Sequence, residues 1–191
     1  MKDNLKKPQI LKAAFRRFAR HGLLKTTVEE IARDLRIGKA TIYHYFSSKE
    51  DIFYEVLNIE IDKFIAEITE IFDDPEAGRT DKFLSYFAIK ENIKERYVLI
   101  YELLTLVFRD NVLEKDGELL RCLLEKEENA VQQFLKKKPG GKLPDRSLVV
   151  FMVYQTWGLA LTSKFEDFAS REEPLENDGI LNRVFEQLLE Q

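Results

Sequence analysis

The sequence predicts an all-α fold: an N-terminal three-helix helix-turn-helix domain followed by a helical bundle. Three observations lead there. No run alternates apolar and polar residues convincingly with period two, as a half-buried strand would. Apolar residues instead recur at three- and four-residue spacing in one segment after another, and short polar or Gly- and Pro-rich stretches separate the segments. Thr27 followed three residues later by Glu30 is a capping box, a local signal that a helix begins at about Val28.

The first helix is expected from about Pro8 to His21. Ile10, Leu11, Ala14, Phe15 and Phe18 form its stripe, Pro8 sits early enough that its missing N–H costs nothing, and Gly22 stands where a C-terminal cap belongs. The second helix carries Val28, Ile31, Ala32 and Leu35, with Glu29 and Glu30 at the positive end of its dipole. After the break Arg36-Ile37-Gly38 comes a second short helix that keeps Ile42 and Phe46 inward. This is a helix-turn-helix, whose second helix would enter the major groove of DNA.

A long helix is expected from about Lys49 to Phe72, with Ile52, Val56, Ile59, Phe64 and Ile68 along it and Asp73-Asp74-Pro75 ending it. Further helices are expected over about Thr80 to Lys90, Ile93 to Asp110, Gly117 to Lys138, Asp145 to Ala169 and Pro174 to Glu190. The breakers between them are 111–116, 139–142 and 170–173, and no repeat recurs at a fixed period. From Leu148 to Leu161 apolar residues go all the way round the helix, so it must be covered on every side. In a lobe of this size one flank is expected to meet a second subunit, as is the sustained stripe Ile180, Leu181, Val184, Phe185, Leu188 and Leu189.

Charge divides the chain. Residues 1–50 hold twelve Lys and Arg against five Asp and Glu, and the remainder eighteen against twenty-nine, for a net charge of −4. A basic lobe on an acidic chain is either solvated surface or the footprint of DNA binding, where affinity comes from neutralised phosphates. With 191 residues and 45% hydrophobic content the chain can bury a real core. A lone Cys122 excludes an internal disulfide, and Met1-Lys2-Asp3-Asn4-Leu5-Lys6-Lys7 lacks the apolar stretch of a signal peptide, so a reducing cytoplasm is expected. The longest mostly apolar run, 148–161, is short of the ~20 residues a bilayer span needs, so no membrane contact is expected.

The sequence resembles the N-terminal domain of the TetR family of bacterial transcription regulators. The resemblance is carried by Phe18-Ala19-Arg20-His21-Gly22, by Thr26-Thr27 with Ile31-Ala32, by Thr41-Ile42-Tyr43-His44-Tyr45-Phe46, and by Ser48-Lys49-Glu50-Asp51-Ile52. It covers roughly the first quarter of the chain. Two positions depart from the family pattern: Arg36 stands where Gly is usual, and Gly38 where Ser or Thr is usual. The resemblance implies a DNA-binding domain over residues 1–48 and an effector-binding and dimerisation domain over 49–191. It also implies a homodimer built on the last two helices, with two recognition helices about 34 Å apart on a near-palindromic operator of double-stranded DNA.

Within the motif, Lys39, Ala40 and Thr41 lie at the exposed start of the second helix. There Lys39 can donate to guanine O6 or N7, and the methyls of Ala40 and Thr41 can touch a thymine methyl. Tyr43, His44 and Tyr45 are expected at phosphates, flanked by Thr27 and Lys49. The alternative for Tyr45 is a core aromatic and for His44 a histidine touching nothing specific, while Arg36 reads as a phosphate contact or a solvated charge. The dimer surface is expected at Leu148, Met152, Leu159, Ile180, Val184 and Leu188. Phe83, Phe87, Tyr97, Tyr101, Leu104, Phe108, Phe151, Tyr154 and Trp157 are either ordinary core or, as the resemblance implies, the lining of a pocket for a small apolar or aromatic effector. Glu102, Thr105 and Arg109 share a stripe that is either solvated or turned to that ligand.

The expected function is therefore a ligand-released repressor. Two distant histidines, one cysteine, no Cys-x-x-Cys and no Gly-rich phosphate loop leave few parts for an enzyme, and neither a cofactor nor a metal is expected. The rival reading is a helical interaction protein that keeps the fold without regulating transcription.

Overall fold

The computed structural model describes residues 6–107, 113–136 and 145–169. Those residues form α1 (Lys6–Lys25), α2 (Val28–Asp34), α3 (Lys39–Tyr43), α4 (Lys49–Asp73), α5 (Arg79–Glu91), α6 (Ile93–Arg96), α7 (Val98–Val107), α8 (Glu114–Lys136) and α9 (Arg146–Ala169). No strand occurs among the described residues. No helix among them is long and apolar enough to cross a membrane. The helix expected over Pro174 to Glu190 lies outside the described residues.

The chain divides into two compact units. One holds the described residues of Met1–Lys63 and Tyr97–Leu119, the other those of Phe64–Arg96 and Leu120–Gln191. In the first, α1 packs on α2 and α7, and α2 on α3. Ile10, Ala14, Phe18, Ile31, Ile42, Ile52, Phe53 and Leu57 are essentially inaccessible to water, and the Phe18 ring meets Phe53 edge-on at 5.3 Å. Gly22 interrupts α1 at φ 74, the positive angle expected of a glycine cap. The groups freed there are taken up: the Leu23 amide donates to Glu102 at 2.9 Å, Thr26 Oγ1 donates to the Gly22 carbonyl at 2.8 Å, and Lys49 Nζ donates to the Leu23 carbonyl at 2.8 Å.

Three elements differ from the sequence expectation. Ile59 on α4 is exposed rather than inward. The helix expected over Ile93 to Asp110 is split at Tyr97 into α6 and α7. The restart is capped by the buried Glu60 of α4, which accepts the Ile100 amide at 2.8 Å. Burial pushes the Glu60 carboxyl up to about 7, against the amide bonds from Ile100 and Leu99 that favour the charged form. The end of that expected helix lies outside the described residues. Finally, α8 starts at Glu114 within a stretch expected to be a breaker, because Asp116 turns inward, accepting the Leu113 amide at 3.1 Å and the Tyr54 hydroxyl at 3.0 Å.

The second unit is built on α5 packed against α9 and on rings from several helices. Phe72 stacks on Phe134 with centroids 4.3 Å apart and leans on Tyr86 at 5.4 Å. At its centre is a polar cluster with no water access. Lys90 Nζ lies 2.5 Å from Glu127 Oε1 and donates to Tyr86 Oη at 2.8 Å and Thr156 Oγ1 at 2.6 Å. Glu127 also accepts from Tyr86 Oη at 2.6 Å and from Trp157 Nε1 at 2.7 Å. Both charges are thus paired and hydrogen-bonded, the condition under which full burial is tolerated. Burial nevertheless lowers the Lys90 ammonium to about 8, with Glu127 opposing the shift.

Candidate nucleic-acid interface

The capping box at the start of α2 is formed in both directions: the Glu30 amide donates to Thr27 Oγ1 at 3.3 Å and the Thr27 amide to Glu30 Oε2 at 2.9 Å. That backbone bond holds the Glu30 carboxyl below its ordinary value. At the other end α2 closes in a Schellman motif, with the Arg36 amide donating to the Arg33 carbonyl at 3.1 Å and the Ile37 amide to Ala32 at 3.0 Å. The motif needs a left-handed residue at its turn, and Arg36 takes that angle at φ 54. Arginine carries a Cβ penalty there that glycine would not.

Gly38 then caps α3 without a side-chain bond. Ile42 and Phe46 are buried beneath α3, which turns Lys39, Ala40, Tyr43 and His44 to solvent and leaves Thr41 and Tyr45 half-buried. This amphipathic division sets an exposed polar face on a buried apolar base. Lys39 is ion-paired with Glu29 of α2, and its ammonium lies 5.4 Å from the Tyr43 ring centroid. The Glu29 bond raises the Lys39 ammonium above its ordinary value. The His44 and Tyr45 rings meet edge to face at 5.1 Å. Thr27 is exposed, with its hydroxyl engaged in the cap, and Lys49 is half-buried on the Leu23 carbonyl.

A second group of cations was not singled out by sequence reasoning. α1 contains Lys6, Lys7, Lys12, Arg16, Arg17, Arg20 and Lys25 and no acidic residue. Arg17 grips Asp34 of α2 with two bonds, 2.7 Å from Nε and 2.6 Å from Nη2, and holds that carboxyl below its ordinary value. Arg16, Arg17, Arg20, His21 and Asp34 line a cleft of about 330 Å³. The absence of any carboxylate between residues 6 and 25 was the available signal.

Residues 10–56 match the family model for bacterial regulatory proteins of the tetR family. Over this N-terminal quarter the chain is similar to the DNA-binding domain of that family. It is 28% identical over 127 residues to the HTH-type transcriptional regulator YuxN of Bacillus subtilis, covering 66% of this chain and 42% of that protein. With HbdR of an Aromatoleum species, also an HTH-type transcriptional regulator, identity is 32% over 114 residues, covering 58% of this chain and 50% of the relative. The chain thus spans half or less of the length of these two relatives. The fold is similar to that of the transcriptional regulator FadR of Bacillus subtilis, solved in complex with stearoyl-CoA (TM-score 0.58, 21% identity, 95% of each chain covered).

The residues expected to line an effector pocket are distributed over both compact units. Phe83, Phe87 and Trp157 are buried in the second unit, whereas Tyr97, Tyr101 and Leu104 belong to the first. Phe151 and Tyr154 are 54% and 52% exposed on α9, while Trp157, one turn beyond Tyr154, is buried. Met152, expected at a subunit surface, is 4% exposed and packed within its own chain, and Leu148 is half-buried. An all-round apolar helix carries no period to say which flank turns inward. Phe108, Arg109, Ile180, Val184 and Leu188 lie outside the described residues, as does the side chain of Leu159. A cleft of about 250 Å³ lined by Phe72 and Phe134, among others, holds none of the expected pocket residues.

Proposed function

We propose that the protein is a ligand-released transcriptional repressor that binds a near-palindromic operator as a homodimer. The observation that carries this reading is α3: Lys39, Ala40, Tyr43 and His44 exposed together above a base of buried Ile42 and Phe46. Lys39, Ala40 and Thr41 read base edges, while Tyr43, His44, Tyr45, Thr27, Arg36 and Lys49 belong to the phosphate-facing set. Residues 1–48 are the DNA-binding domain and 49–191 the effector and dimer domain. The exposed Phe151 and Tyr154 support a second subunit on α9.

The effector is apolar or aromatic. Supporting this are the ring-lined core of the second unit, the cleft over Phe72 and Phe134, and a fold that in FadR accompanies stearoyl-CoA. Release works through α4, which starts beside the motif at Lys49 and continues to Asp73. An effector that favours one tilt of this helix moves the recognition helices out of register. A switch from 1:99 to 99:1 requires a differential affinity of about 5.5 kcal/mol between the two states.

The test is selection from random duplexes at near-physiological salt, followed by sequencing, with Tyr43→Ala alongside. An enriched palindrome that the variant binds weakly is expected. A pool that stays random would count for the non-transcriptional interaction protein.

A further inference from the structure

We propose that the Arg16–Arg20–His21 cleft of α1 is a second phosphate-binding surface, which holds the DNA backbone outside the segment read by α3. It rests on the DNA-binding reading above and adds residues to which no DNA contact has been assigned. The argument is one of charge and placement. The cleft is lined by three arginines, one histidine and a single carboxylate, and that carboxylate is already consumed: both Asp34 oxygens are held by Arg17. Arg16 and Arg20 are exposed, four residues apart on one face of α1 and therefore roughly 6 Å apart along its axis. His21 is exposed beside them.

Two exposed guanidiniums around a neutralised Arg17–Asp34 pair form a site for a singly charged, multi-oxygen group, and guanidinium suits phosphate oxygens because its donors are fixed in a planar fork. Along the chain the cleft leads toward α3: Asp34 ends α2, and the exposed Arg36 and Lys39 follow through the turn. The Arg17–Asp34 clamp fixes α1 to the element that delivers α3, so the two basic surfaces are held to one frame. The partner is the phosphodiester backbone flanking the recognised bases, bound without sequence preference.

The experiment compares the full chain with R16Q/R20Q and R16K/R20K. Binding to a selected duplex and to a random duplex of equal length is measured between 50 and 200 mM salt. Each phosphate contact contributes about 0.9 to the slope of log affinity against log salt. Loss of two contacts should lower the slope by about 1.8 on both duplexes, so that the gap between wild type and R16Q/R20Q shrinks about tenfold over this range. The lysine pair keeps the charge and should restore the slope. Sequence preference should be unchanged in both variants. A slope that R16Q/R20Q leaves unaltered on both duplexes overturns the proposal, whatever the selection shows. Absence of any enriched sequence, with the slope lowered as stated, would instead remove the specific-regulator reading and keep this surface. Circular dichroism melts of the variants, whose changed residues are exposed, report whether the fold is retained.

Discussion

Replacing Lys90 with methionine tests the account of the second unit's core. In the structure the ammonium lies 2.5 Å from Glu127, and both side chains are wholly inaccessible to water. At an effective dielectric of about 20 the attraction at that distance is roughly 7 kcal/mol, which the desolvation of two ions largely offsets. The intact pair is therefore worth little net. The half-pair is not: in Lys90→Met, Glu127 keeps only the neutral donors Tyr86 Oη and Trp157 Nε1, and the uncompensated buried charge should cost about 3–5 kcal/mol. Glu127→Met leaves the ammonium among Tyr86, Thr156 and the Val153 carbonyl and should be comparably destabilising. The double replacement K90M/E127M removes both charges and strands only the Trp157 N–H, at about 1–3 kcal/mol. Urea unfolding of the four proteins gives the cycle. The expected coupling is about 3 kcal/mol or more, with the double variant more stable than either single one. Additive losses, with coupling under about 0.5 kcal/mol, would refute the buried pair and with it this description of the core.

Three further outcomes follow from other parts of the chain. Glu60 has its folded value raised from the ordinary 4.5 to about 7, so the folded state holds the extra proton between those values. Its contribution to stability is full below pH 4.5 and lost as the pH rises through 7, and Glu60→Gln should flatten that fall in denaturant titrations across pH 4.5–7.5. Thr27→Ala removes the α2 cap and should lower unfolding free energy by about 1 kcal/mol in urea. Gly22→Ala puts a Cβ at φ 74 and 3.1 Å from Glu102 Oε1, and should cost about 1–3 kcal/mol, read as a lower thermal midpoint.

The helix-turn-helix was legible because its signals are local. A hydroxyl and a carboxylate three residues apart cap α2, and a three- to four-residue period places Ile31, Ile42 and Phe46 inward. Arg36, which stands where the family pattern has Gly, is where the backbone takes a left-handed angle. These interactions act within one or two turns, so the order of residues is enough to specify them.

The order of residues alone thus specifies the all-α class, the position of α3 and the basic character of the N-terminal lobe. The rest depends on contacts between distant segments. Glu60 splits an otherwise continuous helical pattern from forty residues away. Lys90 stands at the end of an expected helix, and no local signal says that Glu127, Tyr86 and Thr156 surround it. Nor does an all-round apolar α9 reveal that Met152 turns inward while Phe151 and Tyr154 turn out. Periodicity reports which residues share a face of their own helix; which partner meets that face depends on contacts between distant segments, and those carry no local signature.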